Sequence, residues 1–202
     1  MVWNYGGLCP GGPDRQVERG PAVSIPDQDT APQAAAAAPG GATESGNHVV
    51  LRGRGIVPGK TRGLALVSPA TISGWGGIDP ATGTIIERRH PLCGVSFAGR
   101  VLVFPGAKGS SGWSGFFQST RLLGAAPAAM VFSKMSTKAV LGAVVTRVPT
   151  VSELDEDPVQ VIRTGDLVEV DAYSGTVTIL QRAAELPGTW GGSLEFGFQP
   201  GK

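Results

Sequence analysis

Val101-Leu102-Val103-Phe104-Pro105-Gly106-Ala107-Lys108-Gly109-Ser110-Ser111-Gly112-Trp113-Ser114-Gly115 carries the chain from an apolar run into a turn crowded with glycine and serine. Four consecutive apolar residues mark a strand buried on both faces. Beyond the turn, Trp113, Phe116, Phe117, Thr120 and Leu123 recur three or four apart. This spacing predicts a helix with one buried face, stopped at Gly124. Ala128-Ala129-Met130-Val131-Phe132 supplies a second buried strand, and Ser136-Thr137-Lys138-Ala139-Val140-Leu141 a short helix with Ser136 as its N-cap. Strand, helix, strand in this order points to an α/β domain of layered sheets with a few helices.

The flanks supply the remaining strands. His48–Gly53 and Arg62–Val67 read as a pair of short strands. Leu167–Asp171 and Thr176–Ile179 alternate across the turn Ala172-Tyr173-Ser174-Gly175, which predicts an antiparallel hairpin with Val168, Val170, Val177 and Ile179 facing the core. Ser73–Pro91 is a Gly-rich loop longer than structural economy requires, and such loops tend to carry function.

Composition bounds the rest. Hydrophobic residues make up 41% of 202, enough for one core, whereas 31 glycines and 16 prolines imply many turns and some unstructured length. Residues 1–47, including the run Ala34–Ala38, lack apolar periodicity and read as a disordered, low-complexity extension. The domain is expected over 48–182, followed by a Gly/Pro tail at 183–202 whose Trp190, Phe196 and Phe198 suit contact with a partner. A net charge of +1 offers no concentrated basic patch for nucleic acid or an anionic membrane. The amino terminus has no basic region followed by an apolar segment, and Cys9 and Cys93 form no metal-ligand spacing. A cytoplasmic location and no metal held by this chain are therefore expected.

Several motifs fail on inspection. Arg54-Gly55-Ile56-Val57-Pro58-Gly59-Lys60-Thr61 places Arg54 where a P-loop needs its first glycine, and Pro58 removes a backbone donor, so a turn between strands is expected. His90 could act as a general base or a phospho-carrier. Without a second histidine, and with Cys93 the one cysteine close by, it has no metal constellation; ordering the end of the long loop is the favoured role, and Cys93 reads as a small buried apolar group. Glu153, Asp155, Glu156 and Asp157 read as a solvated connection. The Gly106–Gly115 turn is neither a P-loop nor the G-x-S-x-G elbow of hydrolases. Its glycines and a helix N-terminus capped by Ser110 or Ser111 suit an approaching anion or an ordinary cap, and the residues alone leave both open.

Gly53-Arg54-Gly55, the loop Ile72–Gly83, His90-Pro91-Leu92-Cys93-Gly94, Lys108-Gly109-Ser110-Ser111 and Pro127–Val131, taken in this order, resemble the small swivel-domain component of the aconitase X family over about residues 48–180. The resemblance implies a swivelling β/β/α domain closing over a large subunit that holds an iron–sulfur cluster and most substrate contacts. It implies a hydro-lyase, inactive without that subunit, that dehydrates a small hydroxy acid: cis-3-hydroxy-L-proline as the leading expectation, phosphomevalonate as the alternative. A non-catalytic swivel module binding a small anion is the alternative of another class. By the same resemblance Ser110 is the base that removes the proton α to the carboxylate, with Lys108, Gly109, Ser111 and Gly112 contacting substrate. Aconitase itself has arginine after its two serines; here Gly112 stands there, so carboxylate recognition must pass to another group, Lys108 or the partner. A helix N-terminus contributes roughly 0.3–2 kcal/mol toward a nearby negative charge, about one pKa unit. Most of the activation of a serine hydroxyl must therefore come from other positive charge and from exclusion of water.

Overall fold

The computed structural model describes residues 48–185; the expected disordered extension at 1–47 and nearly all of the 183–202 tail lie outside the described residues. In chain order the elements are β1 (Val49–Arg52), β2 (Arg54–Val57), β3 (Lys60–Val67), β4 (Ile72–Ser73), β5 (Ile78–Asp79), β6 (Thr84–Ile85), β7 (Val101–Phe104) and β8 (Ala107–Lys108). They continue as α1 (Trp113–Leu122), β9 (Ala129–Phe132), α2 (Thr137–Thr146), β10 (Thr150–Ser152), α3 (Pro158–Val161), β11 (Leu167–Asp171) and β12 (Thr176–Gln181).

Eight of these strands form one sheet in the order β1-β12-β11-β3-β7-β9-β10-β2. Its β3-β7-β9-β10 portion is parallel, with Val67 opposite Val103 and Val103 opposite Val131. The edge strands β1 and β2 follow each other with Gly53 alone between them, so the sheet curls until its edges meet. The joint is hydrogen-bonded: Gly53 N–H donates to the Gly175 carbonyl (2.8 Å) and Asp155 N–H to the Arg52 carbonyl (2.8 Å). A Cβ at Gly53 would lie 2.6 Å from the Ser152 carbonyl oxygen and 2.9 Å from both the Glu153 carbonyl oxygen and the Leu154 Cα, which is why glycine stands there.

Strand alternation divides the core in two. Leu51, Ala65, Val101, Val103, Ala129, Val131, Val168, Val170, Val177 and Ile179 point into the curled sheet, as expected for the hairpin valines and Ile179. Leu66, Leu102, Phe104, Met130 and Phe132 point outward against Trp113 and Phe117 of α1 and Ala139 and Ala143 of α2. Sheet, sheet and helix thus make three layers, and β7 and β9 are apolar throughout because both their faces are covered.

Several expectations change. β1 and β3 do not pair; the hairpin β12-β11 lies between them. The stretch Arg54–Val57, read as part of a turn, is a strand paired with β10, whose edge it takes. β10 and α3 carried no recognised signal. α2 runs five residues past Leu141, its Gly142 lying against the Trp113 ring, while the Ser136 cap is as expected, its hydroxyl accepting from Ala139 N–H. Leu123 is exposed rather than buried, lying past the end of α1, and Gly124 closes the helix with φ +74°. Cys93 is half-buried rather than enclosed. Asp155 and Asp157 do more than solvate a connection: Asp155 Oδ1 accepts from Arg52 N–H, and Asp157 caps α3. Among the described residues no helix is long and apolar enough to cross a membrane.

Candidate functional site

The turn after β7 is built by two registrations. Gly106, at φ +150°, swings the chain aside so that β8 pairs in parallel with β4, Ile72 opposite Ala107 and Ser73 opposite Lys108. Gly109, at φ +87°, reverses it into α1, a conformation an L side chain rarely adopts. Trp113 anchors the start of the helix: its ring is fully buried, stacks on Phe117 at 3.9 Å, and donates from Nε1 to the Ile72 carbonyl (2.9 Å).

Between these anchors Gly109, Ser110, Ser111 and Gly112 are exposed. The expected serine cap is not made. Gly112 is the N-cap, with helical dihedrals and no side-chain bond; Ser110 contributes its carbonyl, which accepts from Trp113 N–H at 3.3 Å. Among the described residues neither the Ser110 nor the Ser111 hydroxyl has a hydrogen-bond partner, and no acceptor faces the N–H groups of Ser110, Ser111 and Gly112. The turn therefore presents two free hydroxyls and three free N–H donors at the positive end of α1.

Lys108 belongs to the same turn, but its ammonium is engaged by Glu87 Oε1 at 2.6 Å. Glu87 comes from the long Ser73–Pro91 loop, and its buried Oε2 has no partner among the described residues. That loop is partly structural: Ile78 and Ile85 are buried in the helix-side core, and Trp75, though exposed, lies edge-on to Phe116 at 5.6 Å. From the opposite side Lys138, on the first turn of α2, donates to the Gly109 carbonyl at 2.5 Å. Glu87 and Lys138 carried no recognisable motif, since only the fold brings residues 21 and 29 positions away to this turn.

His90 takes the role expected of it. Its Nδ1 accepts from Leu92 N–H (3.1 Å), so Nε2 carries the proton and faces Ser68 Oγ (3.2 Å), which in turn donates to the Ala70 carbonyl (2.6 Å). Burial holds its pKa below the ordinary histidine value, partly offset by the hydrogen bond to the Ala70 carbonyl and by the Glu87 charge. It orders the loop end, and among the described residues no hydrogen bond links its side chain to the serine turn.

Among the described residues no group of three or more His, Cys, Asp or Glu could hold a metal ion. These residues do not fit a resident iron–sulfur cluster, and no step is assigned to one on this chain.

A curled sheet with two helices on one face, presenting a Gly-Ser-Ser turn at a helix start, defines a swivel-type β/β/α domain. The chain belongs to the aconitase X swivel domain family, whose model matches residues 50–179. It is 41% identical over 129 residues to the phosphomevalonate dehydratase small subunit of Methanocella arvoryzae, covering 64% of this chain and 98% of that one. It is 40% identical over 128 residues to the subunit of the same name in Archaeoglobus fulgidus, covering 63% and 96%. The crystal structure of Thermococcus kodakaraensis aconitase X in its holo-form superposes with a TM-score of 0.63 at 38% identity, covering 66% of this chain and 99% of that one.

Proposed function

We propose that this chain is the small subunit of an aconitase X-type dehydratase that removes water from phosphomevalonate, with Ser110 as the base. The observation that carries the reading is the near full-length match to small subunits of that name. It favours phosphomevalonate over cis-3-hydroxy-L-proline, the expectation from resemblance alone. The geometry of the turn is consistent with it: Ser110 is exposed, its hydroxyl has no partner among the described residues, and it lies among free N–H donors.

In this mechanism the Ser110 alkoxide takes the proton from the carbon α to the substrate carboxylate and the adjacent carbon loses hydroxide; the proton held by Ser110 and that hydroxide together make the water released, which restores the alkoxide. Ser111 and Gly112 offer N–H groups to an anionic oxygen of the substrate, Gly109 lets it approach the backbone, and Lys108 supplies positive charge at the rim. The positive end of α1 contributes about one pKa unit toward the serine alkoxide, so the larger part of its activation requires a surface that covers the turn and excludes water. In this reading a large subunit would supply that surface, and an iron–sulfur cluster held by it would supply Lewis-acid chemistry.

The test is co-expression with a large-subunit partner and assay of the assembled enzyme on phosphomevalonate and on cis-3-hydroxy-L-proline. Phosphomevalonate is expected to be dehydrated, with Ser110→Ala reducing turnover at least 100-fold, the scale for loss of a general base. Near-normal turnover by Ser110→Ala, or preference for hydroxyproline, refutes the reading.

A further inference from the structure

We infer that Lys138 is a positioning residue for Ser110, acting through the peptide that joins it to Gly109. The inference deepens the proposed function and rests on it. Lys138 lies on α2, outside every motif in the sequence, yet its Nζ reaches the Gly109 carbonyl at 2.5 Å. That carbonyl belongs to the same peptide unit as the Ser110 N–H, and the described peptide bonds are all trans. In a trans peptide the carbonyl and the N–H point in opposite directions. Holding the carbonyl toward α2 therefore turns the Ser110 N–H away from α2, where no acceptor among the described residues meets it.

Two features make this tie consequential. Gly109, at φ +87°, lacks the side chain that would restrict its backbone, so its peptide needs an external hold to keep one orientation. The donor is also a cation, and a charge-assisted bond to the carbonyl polarises the peptide and strengthens its N–H as a donor. Lys108 is differently placed, its charge being paired with Glu87. The two lysines thus divide the work: Lys138 sets the orientation of the peptide and lends its charge to the serine, while Lys108 closes the far side of the turn against the loop.

The experiment uses the assembled two-subunit enzyme with phosphomevalonate, comparing wild type, Lys138→Met, Lys138→Arg and Ser110→Ala. Lys138→Met is expected to lower kcat by about 100-fold, the scale for misplacing a reacting group by an ångström, with KM changed less than about threefold. The pH at which its kcat reaches a plateau is expected to move up, because a positive charge near the base is lost. Lys138→Arg, which keeps the charge and a donor, is expected to recover most of kcat. Lys138→Met with kcat within twofold of wild type and an unshifted pH profile overturns the inference while leaving the proposed function standing, provided Ser110→Ala is inactive. Full activity of Ser110→Ala removes the base itself and overturns both. A kcat loss in Lys138→Met that Lys138→Arg does not relieve, and that brings no pH shift, also overturns it by showing a packing role alone.

Discussion

Gly142→Ala tests whether helix packing sets the serine turn. Gly142 lies in α2 against the ring of Trp113, and a Cβ there would sit 2.0 Å from Cζ3 and 2.4 Å from Cε3. In an open helix the substitution would stabilise by about 1 kcal/mol through helix propensity. Here the ring must move. It is fully buried, stacked on Phe117 and bonded to the Ile72 carbonyl, so it has no free space to enter. Overpacking costs about 1–3 kcal/mol. Losing the indole hydrogen bond costs about 1 kcal/mol more. The net expectation is destabilisation by about 1–3 kcal/mol. Gly115→Ala in α1 is the matched control: nothing lies within 4 Å of its Cβ, so it should stabilise by up to about 1 kcal/mol. Urea unfolding of the three proteins measures both. Because Trp113 opens α1, the assembled enzyme carrying Gly142→Ala should also lose turnover. A Gly142→Ala protein as stable as wild type, or more so, refutes the argument that this contact fixes the helix start.

Other expectations follow from single contacts. Gly53→Ala forces a Cβ against three backbone atoms at the joint of the curled sheet and should destabilise by more than Gly142→Ala, since backbone cannot swing aside; urea midpoints decide. Glu87→Gln removes the negative charge paired with Lys108 and should lower KM for phosphomevalonate by about two- to fivefold, the worth of a half-exposed ion pair; an unchanged or raised KM removes Lys108 from substrate binding. His90 is held neutral by burial, its pKa lowered, so the unfolded chain binds its proton more readily. Its contribution to stability is complete above pH about 6.5 and is lost as pH falls from there toward its folded value. His90→Gln should flatten that part of the stability–pH curve. Glu169, held low chiefly by Arg62, and Asp171, held low chiefly by the Ser174 N–H, leave the carboxylate-linked loss to lower pH, below about 4.5.

The local steps were set by the chain alone. Four apolar residues in a row at Val101–Phe104 require cover on both faces, a 3–4 spacing from Trp113 requires a helix, and alternation in Leu167–Ile179 requires a hairpin; each depends only on residues a few positions apart. The ordered motifs around Gly109-Ser110-Ser111 likewise carried the family. What the tertiary structure decided is everything that joins distant segments. Gly53 became the joint of a curled sheet because Ser152, Glu153 and Gly175 pack against it. Gly142 is required within α2 because the Trp113 ring packs directly against its backbone. Lys108 and Gly109 acquired Glu87 and Lys138 as partners only when loop and helix closed around the turn. Short-range pattern encodes which face of an element is buried, whereas the partner it meets depends on the path of the whole chain.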